Sequence, residues 1–140
     1  MSQTILLPVD LSSSPSWEHA LPKALEMAKG GTLHVVTVIP NFGSSMVGGY
    51  FSDSFMEQAL HEIGEDLTKW VNANIPSEQD VNPHVVHGRI YEEIIKAGEN
   101  LDVDTIVMGT PPHHMTEYLL GPNAARVVRH SKKSVYVVRG

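Results

Sequence analysis

The chain of 140 residues contains no cysteine. This absence excludes a disulfide framework, a thiol nucleophile and any metal site built on cysteine. Basic residues are also few, since 10 Lys and Arg stand against 16 Asp and Glu and leave a formal net charge of −6. General nucleic-acid binding depends on Lys and Arg against phosphate, so we expect no nucleic-acid partner for this acidic chain.

Long apolar segments are missing as well. Nothing approaches the roughly 20 apolar residues of a membrane span. The opening MSQTILLPVD has no basic segment, and its apolar run is too short for a signal or an anchor. We therefore expect a soluble, cytoplasmic protein with no membrane partner, folded as a single domain over residues 1–140.

Several well-known site motifs do not occur. The chain has no G-x-x-x-x-G-K-[ST] and no G-x-G-x-x-G after its first strand, which argues against P-loop ATP binding and Rossmann NAD binding. It also lacks G-x-S-x-G and H-E-x-x-H. Serine hydrolysis of the α/β-hydrolase type and a zincin-type metal site are therefore not predicted.

Histidine, by contrast, is frequent, with eight residues. His84 and His87 lie three apart in a predicted strand and should point to opposite faces, and the neighbours His113 and His114 also tend to diverge. We therefore predict no dedicated metal site and interpret these histidines as solvated loop residues.

Short apolar segments alternate with helical patterns along the whole chain. The apolar segments predict strands at residues 4–10, 32–40, 82–88, 104–109 and 134–138. The first strand lacks polar alternation, as expected of a strand covered on both faces. Five strands alternating with four helices predict an α/β fold, a single open parallel sheet with helices on both faces.

The helix signals predict several local features. Ser14 is the expected N-cap of the first helix, which should kink at Pro22 and end at Gly30. Asp53 or Ser54 is the expected cap of the second helix. The side chains expected on the buried stripes of the second and last helices are Met56, Ala59, Leu60, Ile63, Leu67, Trp70 and Val71, and Ala124, Val127 and Val128.

Ligands of open parallel sheets bind beyond the carboxyl ends of the strands, where strand order reverses. The loops after Val9, Val38, His87 and Met108 are therefore candidates, and the Gly- and Ser-rich loop 41–52 is the longest irregular stretch. Asp10 ends the first strand, where its carboxylate could hold a ribose hydroxyl or a metal-bound water, or could only close an Asx-turn.

The start of the last helix carries a similar ambiguity. Gly109 ends a strand, and Gly121, Pro122 and Asn123 open a helix whose free N–H groups could hold an anion. Alternatively, Asn123 only caps the helix, and no ligand is required.

Five segments together resemble the universal stress protein family, in order and over essentially the whole chain. They are ILLPVDLSSS, LHVVTVIP, HGRIYEEIIKAGE, DTIVMGT and YLLGPNAARVVRHSKKSVYVVR. The pattern YLLG-x-NAA-x-VVRH is the most specific and is similar to the F- and G-type branch. The resemblance implies a five-stranded parallel sheet of order 3-2-1-4-5, the adenine nucleotide alpha hydrolase-like fold.

The resemblance also implies binding of ATP or a related adenine nucleotide, with or without Mg²⁺. Pro8, Val9 and Asp10 match the family's P-x-D turn, and Val38 matches the residue whose backbone reads the adenine edge. The complete set of implied nucleotide-binding residues is Pro8, Val9, Asp10, Val38, Met108, Gly109, Thr110, His113, Gly121, Pro122, Asn123 and Ala124.

Two prolines depart from the family's phosphate loop, whose ends match Gly109 and Gly121. Pro112 replaces its middle glycine, which the F- and G-type branch also lacks, and Pro122 replaces a Ser or Thr. Neither proline has an N–H to offer a phosphate, so we expect a weaker phosphate grip than the family norm. The candidates to replace these contacts are Asn123, Ala124, His113 and Arg126.

The apolar segment from Ser134 to Val138 is an edge strand without a protecting Pro or an inward charge. We therefore expect a homodimer formed by antiparallel pairing of this edge, besides protein partners that the sequence leaves unknown. Three functions stay open. They are a nucleotide-binding stress-response module without efficient catalysis, a slow ATPase or self-phosphorylating enzyme using Asp10 or, less well placed, Glu117, and a nucleotide-free interaction protein.

Overall fold

The computed structural model describes residues 2–40, 53–110 and 120–139. The strands in these ranges are β1 (Thr4–Pro8), β2 (Thr32–Pro40), β3 (Asp80–Gly88), β4 (Thr105–Thr110) and β5 (Ser134–Arg139). The helices are α1 (Ala20–Ala28), α2 (Asp53–Asn74), α3 (Ile90–Asn100) and α4 (Leu120–His130), and a single 3-10 turn spans Ser14–Ser16.

All four strand pairings are parallel, and the strand order is β3-β2-β1-β4-β5. The predicted fold class and strand order are therefore confirmed. β1 lies at the centre of the sheet, and Ile5, Leu6 and Leu7 are fully buried. This double burial explains why the β1 sequence shows no polar alternation.

Successive residues of β1 point to the two faces of the sheet and divide the core in two. Ile5 and Leu7 pack with α1 and α2, whereas Leu6 packs with α3 and α4. Because both faces carry helices, the exposed parts of the sheet are its two edges, β3 and β5, and the ends of its strands.

The predicted strand limits need small corrections. β3 begins at Asp80, two residues earlier than predicted, and β5 extends to Arg139. β1 ends at Pro8 rather than Asp10, although the Val9 N–H still donates to the Val36 carbonyl at 2.8 Å. The chain therefore leaves the sheet directly before Asp10.

The first helical region differs from the prediction. Ser14 opens only the 3-10 turn, and α1 begins at Ala20. Pro22 is therefore the third residue of α1, in the first turn, where a backbone N–H has no helical acceptor. The predicted kink at Pro22 is wrong because the proline starts this helix and does not interrupt it. The helix ends as predicted before Gly30, which has the left-handed φ of 79°.

The predicted apolar stripe of α2 is buried unevenly. Leu67 and Val71 in the second half are buried, whereas Ala59, Leu60 and Ile63 in the first half are only partly covered. The first half of α2 therefore stands over open space beside the sheet, and its apolar side chains line cavities.

The last helix also corrects two expectations. α4 begins at Leu120, so Asn123 is the fourth helical residue and not the N-cap. Ala124 and Val127 are buried as predicted, but Val128 is 52% exposed, and its predicted inward position is wrong. The helix packs over β4 and β5 with Ala124 and Val127 inward, and beyond β5 the described residues supply no further strand against which Val128 could pack.

Among the described residues, no helix is both long and apolar enough to cross a membrane.

Candidate functional site

The sheet opens between β1 and β2 at the carboxyl ends of the strands. β1 turns away after Pro8, whereas β2 continues to Pro40 in register with β3. The Val36 carbonyl points toward β1, since it accepts the Val9 N–H. Alternation along a strand places the N–H and C=O of Val38 on that same side, in the space that β1 has left. One backbone donor and one backbone acceptor therefore face this gap.

Asp10 lies at the turn that opens the gap and is 9% exposed. Its Oδ1 accepts hydrogen bonds from the Ser12 backbone N–H at 3.0 Å and from the Ser12 hydroxyl at 2.6 Å. This geometry is the Asx-turn that the sequence left as one of the interpretations of Asp10. The turn holds the carboxylate in a fixed position at the strand end, where a ligand can also reach it.

Ser16 supports the same turn, a role that was not predicted from the sequence. The side chain is 1% exposed, and its hydroxyl lies 2.7 Å from the Ser13 carbonyl and 3.1 Å from the Asp10 backbone nitrogen. The hydroxyl therefore donates to Ser13 and accepts from Asp10. The segment SSSPS indicates a turn stabilised by serine hydroxyls, but the sequence does not distinguish which serine makes the stabilising hydrogen bonds.

A cavity of about 480 Å³ occupies the gap between the β1 turn, the end of β2 and α2. Its lining residues are Asp10, Leu11, Ser12, Thr37, Val38, Ile39, Pro40, Phe55, Ala59, Ile63 and Asp66. Most of them are apolar, and the charged ones, Asp10 and Asp66, are both acidic. Among the described residues the cavity thus suits a flat, largely apolar group with hydrogen-bond donors, and it disfavours an anion.

A larger groove of about 690 Å³ lies on the other side of α2, against Pro83 and Val85 of the edge strand β3. Its floor includes Leu60, Gly64 and Leu67. It contains no residue from the carboxyl end of a strand and none of the residues predicted to bind a ligand. The smaller cavity is therefore the candidate site.

Across the sheet, β4 and α4 carry the other predicted ligand residues. Gly109 has a structural reason to be glycine, because an added Cβ would lie 2.6 Å from the backbone oxygen of Ser16. The Met108 side chain is fully buried against α3 and α4, so only its backbone could face a ligand. Thr110 ends β4 and is partly buried.

Gly121, Pro122, Asn123 and Ala124 lie in the first turns of α4. Pro122 is the third helical residue, the position that Pro22 holds in α1, so it fits a helix start without any ligand. His113, together with Pro112, Glu117 and the loop 41–52, lies outside the described residues. The structure therefore brings Asp10 and Val38 to the lining of one cavity, with Pro8 and Val9 leading into the turn beside it. Gly109 and Pro122 have structural explanations of their own.

The histidines contain a pair that the sequence analysis missed. His34 Nδ1 and His84 Nε2 lie 2.9 Å apart across β2 and β3, and both side chains are partly buried. The interpretation of His84 as a solvated loop residue is wrong, because it stands in a strand beside His34. Only the register of β3 on β2 brings the two together. Within the described ranges, no group of three or more His, Asp or Glu is arranged to hold a metal.

The sequence profile of the Universal stress protein family matches residues 1–139 of the chain. The chain belongs to the universal stress protein family. Universal stress protein G of Salmonella typhimurium is 32% identical over 142 aligned positions, which cover 99% of this chain and all of the relative. The predicted resemblance to this family is confirmed.

Solved structures of family members share the fold. The universal stress protein of Archaeoglobus fulgidus in complex with dAMP superposes with a TM-score of 0.65 and 20% identity, covering 97% of each chain. A universal stress protein in complex with cAMP also gives a TM-score of 0.65 and 20% identity, covering 99% of this chain and 97% of the other. At these identities, the comparison supports the fold and nothing further about this chain.

Proposed function

We propose that this universal stress protein binds an adenine nucleotide, ATP or a related compound, as a cytoplasmic stress-response module without efficient catalysis. The observation that carries the proposal is the cavity of about 480 Å³ where β1 and β2 separate, which Asp10 and Val38 both line. Family membership and the dAMP- and cAMP-bound relatives support an adenine compound in particular.

The base is assigned to the Val38 side of the cavity. Adenine presents a ring-nitrogen acceptor beside its exocyclic amino donor, and a strand residue presents N–H and C=O in the complementary order. The apolar lining from Leu11, Ile39, Ala59 and Ile63 would cover the two faces of the base. Two main-chain hydrogen bonds and burial of a flat ring then supply most of the affinity.

The sugar is assigned to Asp10. Both described hydrogen bonds from Ser12 end on its Oδ1. A ribose hydroxyl donating to Oδ2 would make a charge-assisted hydrogen bond, which is stronger than a neutral one.

The phosphates must then lie outside the cavity, since Asp10 and Asp66 would repel them. The N-terminus of α4 is at the same edge of the sheet, because a helix that connects parallel strands runs antiparallel to them. Its first-turn N–H groups favour an anion, although Pro122 provides none. We therefore expect phosphates, with or without Mg²⁺, to add less affinity than the base and the sugar.

Calorimetry tests the proposal with ATP, ADP, AMP, adenosine and GTP, each with and without Mg²⁺. Saturable binding of adenosine and ATP with similar affinity, and weaker binding of GTP, is the expected result. No heat of binding for any adenine compound at millimolar concentration would refute it and favour the nucleotide-free interaction protein. Mass spectrometry of the untreated protein checks independently for a co-purified adenine nucleotide.

We also propose that two copies pair through the outer edge of β5, which no described strand covers. This strand is hydrogen-bonded to β4 on one side, and Tyr136 on it is 42% exposed. The opposite edge strand, β3, contains Pro83, which lacks an N–H for a further strand, whereas β5 contains no proline. The edge available for pairing is therefore β5.

Amide hydrogen exchange combined with light scattering tests this pairing. In a lone edge strand, alternate N–H groups point outward and exchange quickly, so a dimer through β5 should protect both alternating sets from Ser134 to Arg139. β3 is the internal control and should retain fast exchange at its outward amides. A molar mass equal to that of a single chain, measured by light scattering at micromolar concentration, would contradict the proposal.

A further inference from the structure

The pair His34 and His84 joins the edge strand β3 to the rest of the sheet. His84 lies opposite Val36 in the register, one pleat along the strands from His34, which lies opposite Asn82. The ring nitrogens are 2.9 Å apart and the ring centroids 5.1 Å apart. These two distances place the rings end to end along the N···N line, so one ring donates its N–H directly to the lone pair of the other.

The protonation state of the pair decides whether this contact holds. A neutral pair has one N–H and one lone pair facing each other, and a first added proton keeps the bond as a charge-assisted N–H···N contact. A second proton puts an N–H on both facing nitrogens. The hydrogen bond is then lost, and two positive charges repel each other at short range in a partly buried place.

The surroundings give limited compensation for this charge. Asp80, on the same face of β3, accepts a hydrogen bond from the Thr32 hydroxyl at 2.9 Å and attracts a proton to His34. The helix packed over this face, α3, buries Ile94 and Ala97 toward the sheet. The carboxylates of α3 that have described partners are paired with other cations, namely Glu92 with Arg89 and Glu93 with Lys96.

We propose that His34 and His84 form a proton-operated latch that holds the edge strand β3 on β2, and that double protonation releases it. Among the described strands β3 pairs only with β2, so the contacts between these two strands, together with the packing of Val81 and Val85 against the core, keep it in the sheet. The latch stands four residues before Val38 on β2, and its release would loosen the strand that lines the candidate cavity.

The expected pH dependence follows from the two histidines. Burial lowers the pKa of His34, with Asp80 opposing it, and burial together with the nearby His34 lowers the pKa of His84. The folded protein thus binds fewer protons than the unfolded chain below the ordinary histidine value of about 6.5. The contribution of the two histidines to stability is therefore fully present when the pH is above the ordinary histidine pKa. It declines as the pH falls toward their lowered pKa values.

Urea unfolding at about pH 7.5 and about pH 5.5, on either side of the ordinary histidine pKa, tests the latch. The variants are His84→Gln, which cannot take a proton, and His87→Gln as the matched control. His87 is an exposed histidine on the same strand. We expect wild type and His87→Gln to lose stability on acidification to the same extent. His84→Gln should lose clearly less stability. For each pKa unit by which the substitution removes the shift, the loss in the folding equilibrium constant should be about tenfold smaller than in the wild type. Equal losses in all three proteins would overturn the proposal.

Side-chain ¹⁵N NMR of the wild type gives a second reading that needs no variant. The two rings should titrate together, and the β3 amides should lose protection in the same pH range. Independent titration of the His34 and His84 rings would also overturn the latch.

A third test measures the affinity for ATP as a function of pH, and it rests on the proposed function because it requires that the protein binds ATP. Affinity should fall on acidification in wild type and less in His84→Gln. If no adenine compound binds at all, the proposed function fails, while unfolding and NMR still decide on the latch.

Discussion

The two sides of the candidate site are built in different ways. On the β1–β2 side, comprising residues 8–10 and 37–40, the strands separate and leave a cavity with a fixed carboxylate and a backbone donor and acceptor facing inward. On the β4–α4 side, comprising residues 108–110 and 120–124, the glycine packs against a backbone oxygen and the proline starts a helix. Among the described residues, the cavity and the fixed carboxylate both belong to the β1–β2 side.

This difference shows that a family motif and a built binding site are separate observations. Gly109 matches a phosphate-loop glycine, yet the approach of Ser16 would require glycine there in any case. Val38 carries no side-chain signal at all, yet the divergence of β1 and β2 gives its backbone a reason to face a ligand. Four variants test this contrast between the two sides.

Gly109→Ala should destabilise the fold by about 1–3 kcal/mol, because the new Cβ would meet the backbone oxygen of Ser16 at 2.6 Å. The matched control is Gly64→Ala in α2, where the new Cβ would meet only Val85 Cγ2 at 3.9 Å. That control should stabilise the protein by about 0.5–1 kcal/mol, since alanine favours a helix. Urea unfolding measures both. Unchanged stability of Gly109→Ala combined with lost ATP binding would assign Gly109 to phosphate instead.

Asp10→Asn should weaken the binding of adenosine and of ATP by about tenfold each, because a hydrogen bond to a charged acceptor becomes one to a neutral acceptor. The fold should be little affected, since the amide oxygen can still accept from Ser12. Calorimetry measures the affinities, and Glu99→Gln, a change at an exposed residue of α3, is the control for loss of one negative charge. Weaker binding of ATP with unchanged binding of adenosine would indicate that Asp10 contacts the phosphates or the metal and not the ribose.

Pro122→Ser should increase the affinity for ATP by about fivefold and leave the affinity for adenosine unchanged. The reason is that serine provides an N–H and a hydroxyl at the start of α4. Pro22→Ser is the matched control, because Pro22 holds the third position of α1. The readout is the ratio of ATP to adenosine affinity. If that ratio stays the same, the β4–α4 side does not contact the phosphates.

Asp66→Asn should reduce the preference for ATP over GTP by about threefold, the smallest of the four effects. A carboxylate in the cavity accepts from the adenine amino group and repels the guanine carbonyl oxygen. Glu65→Gln, one residue along α2 and lining the other groove, is the control. Equal selectivity in both variants would place the base away from Asp66.

Much of this architecture could be predicted from the sequence. The apolar runs gave all five strands, with β2 correct at both ends, and the P-V-D turn was correctly put at a strand end. The errors occurred where a local signal had two structural uses. Pro22 can kink a helix or start one, and Val128 fits an inward helical spacing but lies where the sheet has ended.

The sequence by itself determined the strand and helix pattern, the family and the candidate residues, because these depend on local periodicity and short motifs. Only the tertiary structure decided that Gly109 meets Ser16, that Val38 faces an open gap and that His34 meets His84. Each of these depends on the register and divergence of strands distant in sequence. Those are fixed by packing across the whole sheet and leave no signal in any single segment.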